Sequence, residues 1–184
     1  MKNLYAFLLL FLISVQFLGC PYSSDVPVDK PNIKVESSYL GVWSETSVST
    51  IKYDIKRLND FEYLIVQLPD TTSKEDNSAD DNSGQPEDVK KSSDTTIYTG
   101  HISKIKDFYF LNLKSKGENF LEANKYNIYK IDFTGGSEFS LTEITSNIKE
   151  QFDNPDDLKN YIEKYMDSGI SFFYGSETTY VKEK

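Results

Sequence analysis

Tyr126-Asn127-Ile128-Tyr129-Lys130-Ile131-Asp132-Phe133-Thr134-Gly135-Gly136-Ser137-Glu138-Phe139 reads as a strand, a tight turn and the start of a second strand. Tyr129, Ile131 and Phe133 alternate with Lys130 and Asp132, the period-two pattern of a strand with one buried and one wet face. Gly135-Gly136 supplies the turn that joins 126–133 to 139–144. The same alternation sets Ile51, Tyr53 and Ile55 against Lys52, Asp54 and Lys56. Asn59-Asp60 separates that strand from 61–68, and Lys106-Asp107 separates 95–105 from 108–113, so each pair reads as a hairpin. With a first strand at 41–47 and a closing strand at 178–182, the pattern predicts a mainly β protein: a small antiparallel barrel or meander of about eight strands.

One α-helix is predicted, in the C-terminal half. Asn154 is a good N-cap, Pro155 suits the first helical position, and Asp156-Asp157 complements the positive end of the helix dipole. Leu158, Tyr161, Ile162, Tyr165 and Met166 form one apolar stripe, and Gly169 is placed to end the helix. With no second helix to share the stripe, the helix is expected to pack on the barrel wall or plug one end.

Between Asp70 and Asp94 the chain is rich in Asp, Ser, Asn and Thr, and Val89 is its one large apolar residue. Such a segment buries too little apolar surface to offset chain entropy and is expected as a solvated, disordered acidic loop. An EF-hand reading fails: Gly84 at the sixth position puts Ala79 first and Lys90 twelfth, where carboxylates are needed. Asp70-Thr71-Thr72 and Asp94-Thr95-Thr96 resemble the acceptor motif of a periplasmic O-glycosylation system, which would modify Thr71 or Thr95.

The N-terminus carries one lysine followed by an apolar run from Leu4 to Phe17, short of the roughly 20 residues of a membrane span. Residues 1–19 are therefore expected to be a signal peptide. Phe17-Leu18-Gly19-Cys20 resembles the lipobox of bacterial lipoproteins, with Phe17 in place of the usual leucine. That resemblance implies cleavage before Cys20, the chain's one cysteine, and lipid attached to its thiol. Two or more acyl chains anchor stably where one does not. Pro21 is not the aspartate of inner-membrane retention, so the resemblance implies an outer-membrane address. Residues 20–38 contain three prolines and no sustained period, and are expected as a lipidated cysteine followed by an extended tether, with a β domain over 39–184.

Cleavage would remove one lysine and no acid, leaving 19 basic against 29 acidic side chains. This balance opposes binding to nucleic acid or a second, electrostatic attachment to anionic lipid. The partners expected are therefore the membrane, through the lipid on Cys20, and either an envelope protein or a small apolar ligand.

Tyr39-Leu40-Gly41-Val42-Trp43 resembles the Gly-x-Trp opening of lipocalin-like barrels, and the layout as a whole is similar to a group of bacterial lipoproteins with such domains. The resemblance implies that Trp43 closes the barrel floor. The family's tryptophan is covered by an arginine from a late strand, and this chain has none beyond Arg57. Trp43 also reads as a core residue of any small β domain.

Enzymatic chemistry is not expected. His101, the one histidine, lies in a strand-like segment without a nucleophile elbow, and one histidine with one lipidated cysteine cannot supply a three-ligand metal site. No catalytic residue, metal or cofactor is assigned, and the pattern singles out no ligand-binding residue. The composition, with 22 aromatic residues beyond residue 19, points to a structural or interaction module with a filled β core. The alternative is a lipocalin-like carrier of a small apolar ligand, because eight-stranded barrels occur both filled and hollow.

Overall fold

The computed structural model describes residues 22–48, 50–69, 95–116, 125–144, 148, 150–166 and 177–184. The signal segment, Cys20, the acidic loop 70–94 with Thr71, and Gly169 lie outside the described residues.

Among the described residues nine strands form one antiparallel sheet: β1 (Ser23–Ser24), β2 (Gly41–Glu45), β3 (Lys52–Arg57), β4 (Tyr63–Leu68), β5 (Ile97–Ile105), β6 (Phe108–Ser115), β7 (Tyr126–Phe133), β8 (Glu138–Glu143) and β9 (Thr178–Lys182). β2 to β8 pair in sequence order except that β9 joins β8 back to β2, which closes an eight-stranded barrel. Trp43 opposite Lys182 and Leu141 opposite Thr178 mark the two seams of that closure. The expected hairpins are those observed, with 58–62, 106–107 and 134–137 as their short turns. β8 begins one residue earlier than expected, at Glu138, and Ile144 continues it as a single bridge.

Short turns gather at one end of the barrel, and the connections β2–β3, β4–β5, β6–β7 and β8–β9 leave from the other. Alternation places Trp43, Ile55, Ile65, Ile102, Leu111, Ile131 and Phe139 inside. The outward residues Ile105, Phe110 and Ile128 form a second core outside the wall, beneath the helix α1 (Pro155–Met166). Asn154 caps this helix, its Oδ1 accepting from Asp157 N–H at 2.9 Å. Leu158 and Ile162 are fully buried, so of the two expected placements the helix takes the wall. Burying a leucine or isoleucine side chain contributes roughly 1.5 to 3 kcal/mol.

The segment expected as a free tether is instead laid on the barrel from Tyr22 onward. Tyr22, Val28 and Val35 are buried, the first two in the outer core and Val35 in the barrel core. β1 pairs with the start of β7, Tyr22 N–H donates to the Ile144 carbonyl, and Val28 N–H donates to Asn112 Oδ1 at 2.7 Å. The physical reason is the outer face of β5 to β7, where Ile105, Phe110 and Ile128 need more cover than one amphipathic helix gives. Residues 33–40 then pass under the short-turn end: Val35 N–H reaches the Asp60 carbonyl, and Glu36 N–H the Tyr63 hydroxyl.

Candidate functional site

The floor of the barrel is built from a 3-10 turn, Ser37–Tyr39, and the strand that follows it. Gly41 has φ +126°, a conformation that L side chains rarely adopt, and a Cβ there would lie 3.1 Å from Lys182 Cε. That backbone delivers Trp43 into the interior with no exposed surface, its indole N–H donating to the Tyr39 carbonyl at 3.0 Å. Tyr39 stacks on Phe133 at 4.3 Å between ring centroids, and Trp43 meets Phe139 at 4.7 Å. Lys182 reaches the same ring, its Nζ lying 5.7 Å over Trp43 and donating to the Ser38 carbonyl at 2.8 Å. A lysine two residues beyond Tyr180, on the same face of the closing strand, is the signal in the sequence for this contact.

Above this floor the interior is not filled. A cavity of about 260 Å3 has Trp43, Ile55, Ile102, Leu111, Ile131 and Phe139 among its apolar lining. Towards the end with long connections its wall carries Tyr53, Tyr98, Tyr129, Tyr180, Asn127 and Glu143, all partly exposed. The same space is lined towards the short-turn end by Tyr39, Tyr63 and Phe133. Tyr53, Tyr98, Tyr129 and Tyr180 each come from an inward position of β3, β5, β7 or β9, set there by strand alternation. An aromatic path runs from floor to mouth: Phe139 stacks on Tyr180 at 5.1 Å, and Tyr180 meets Tyr53 edge-on at 5.9 Å.

The four hydroxyls at this end make no hydrogen bond to any of the described residues. Burial, then the neighbouring Glu143, Tyr98 and Tyr53, push the Tyr129 phenol up to about 12. Burial raises Tyr180 and Tyr53 as well, with the other phenols and Glu45 adding to it. These three groups therefore stay protonated at neutral pH and present O–H donors with acceptor lone pairs. Apolar walls carrying a few convergent polar groups are the usual makeup of a small-molecule pocket.

His101 lies away from this space. It faces outward from β5, buried, with Nε2–H donating to the Asp29 carbonyl at 2.7 Å. Burial holds its pKa below the ordinary value, the carbonyl of Asp29 acting in the opposite sense. Among the described residues no three His, Cys, Asp or Glu side chains gather to hold a metal ion, and no helix is long and apolar enough to cross a membrane. Sequence pattern did not single out the mouth tyrosines, because alternation marks them as inward without telling whether they fill the interior or line a void. Comparison with known protein families, curated proteins and solved structures finds no match to this chain.

Proposed function

We propose that this chain is a lipid-anchored protein of the bacterial envelope whose barrel binds a small molecule in its interior. The observation that carries the binding reading is the cavity of about 260 Å3, lined at its long-connection end by four tyrosyl side chains whose hydroxyls lack partners among the described residues. Its volume exceeds the roughly 150 Å3 in which an apolar protein cavity binds benzene, and falls near the roughly 300 Å3 lower end of ordinary ligand pockets. A compact molecule with one ring or a short hydrocarbon fits that space. The anchor reading rests on the apolar leader ending in Phe17-Leu18-Gly19-Cys20.

Titration with phenethyl alcohol, a neutral one-ring probe, tests the binding reading. Saturable chemical-shift changes at the Trp43 indole N–H and at Tyr129 and Leu141 are expected, and filling the cavity with Leu141→Trp should remove them. Unchanged spectra into the millimolar range would return the filled-core interaction module to first place.

A further inference from the structure

We infer that the cavity selects compact organic cations, an amine or quaternary ammonium joined to a ring or short hydrocarbon, over carboxylates. The inference rests on the small-molecule reading above and concerns the charge of the occupant.

Glu143 lines the cavity, set opposite Tyr129 in the β7–β8 ladder. Glu45, two residues beyond Trp43 on β2, sits on the same inward face opposite Tyr180 and accepts a hydrogen bond from Ser47. Both carboxylates thus stand at the tyrosine-bearing end. Among the described residues, no lysine, arginine or histidine lines the cavity. The cations nearest its floor are directed elsewhere: Lys182 donates to the Ser38 carbonyl and Arg57 to the Val35 carbonyl. Lys114 and Lys130 point outward from the wall, over the rings of Tyr126 and Phe108. Neither Glu45 nor Glu143 has a salt-bridge partner among the described residues.

A cation entering this end would meet the Glu143 carboxylate, with Glu45 nearby on the same inward face, and the lone pairs of four phenol hydroxyls, all of which attract it. A carboxylate entering would be set beside Glu143 with no positive group among the described lining residues to offset the repulsion. The apolar floor of Trp43, Ile102 and Leu111 requires that the charge be carried at one end of the ligand and hydrocarbon at the other.

Three probes of one shape separate the possibilities: phenethylamine, phenethyl alcohol and 3-phenylpropanoate, titrated into the full chain at neutral pH with Trp43 emission and heat of binding as readouts. The amine is expected to bind at least tenfold more tightly than the alcohol, and the carboxylate most weakly. Glu143→Gln, confirmed folded by its thermal transition, should bring amine and alcohol affinities together. Equal affinities for amine and alcohol in the parent chain, or tightest binding of the carboxylate, would overturn the charge selection and leave the binding reading standing. Binding of none of the three would remove both.

Discussion

Val28 and Asn112, 84 residues apart, are joined by a 2.7 Å hydrogen bond in which the backbone N–H of Val28 donates to Asn112 Oδ1, both residues being fully buried. The amide nitrogen of Asn112 donates in turn to Ser103 Oγ at 2.8 Å. One polar side chain on the outer wall therefore fastens the N-terminal segment to β5 and β6.

Asn112→Leu should leave the Val28 N–H buried without an acceptor and destabilise the protein by about 1 to 3 kcal/mol. Urea denaturation measures this, and limited proteolysis should then cut within 22–31 before the barrel. Unchanged stability would mean that the segment is held by Tyr22 and Val28 packing alone.

Trp43→Ala removes a fully buried side chain that joins the floor to the aromatic path and should cost about 3 to 5 kcal/mol. Lys182→Ala should cost far less, about 0.5 to 1 kcal/mol for the lost cation–π contact at a partly exposed site. Thermal denaturation of both variants checks the order; a Lys182 effect as large as that of Trp43 would show that the lysine stem, packed on Gly41, holds the floor.

His101 gives a pH dependence of definite sign. Its folded pKa is depressed below the ordinary 6.5, so the unfolded chain takes up the proton first as pH falls. Stability should be full above about pH 6.5 and decline below it, with a slope of at most about 1.4 kcal/mol per pH unit for one proton. Denaturation midpoints between pH 7.5 and 5 measure the slope, and His101→Gln should flatten it. The Asp29 carboxyl, which burial raises but its bonds to Lys159 and the Lys30 amide lower further, adds its own loss at more acid pH, starting near the ordinary carboxylate value and continuing below it.

Cys20→Ala should abolish palmitate labelling and move the protein from the membrane fraction to the soluble one, or leave the leader uncut. Undiminished labelling would remove the anchor. In the folded chain only Pro21 stands between Cys20 and the packed Tyr22, so an anchored barrel would ride close to the bilayer and not at the end of a long spacer.

Strand pattern was legible in the sequence wherever one face is wet. Lys52, Asp54 and Lys56 announced β3 as clearly as Tyr53 and Ile55 did, and the cap at Asn154 announced the helix. Residues 22–38 were misread because their apolar side chains have no period: Tyr22, Val26, Val28, Ile33 and Val35 pack singly into two different cores as the chain wraps the barrel. The cavity was not legible for another reason. Whether inward aromatics meet at the axis or leave a void depends on barrel radius and rotamer, and neither is written in alternation.

β1 covers a stretch of β7 that β8 leaves bare. The described pairing of β8 with β7 runs to Ile144, whose N–H donates to the Ile128 carbonyl, and Ser23 and Ser24 take up the positions opposite Asn127 and Tyr126. Without them the first residues of β7 would offer unpaired N–H and C=O groups to any passing chain, the starting point for edge-to-edge association. The same two serines therefore protect the protein against sticking to its own copies, and a chain clipped between Ser24 and Val28 should become prone to self-association while its barrel is still closed.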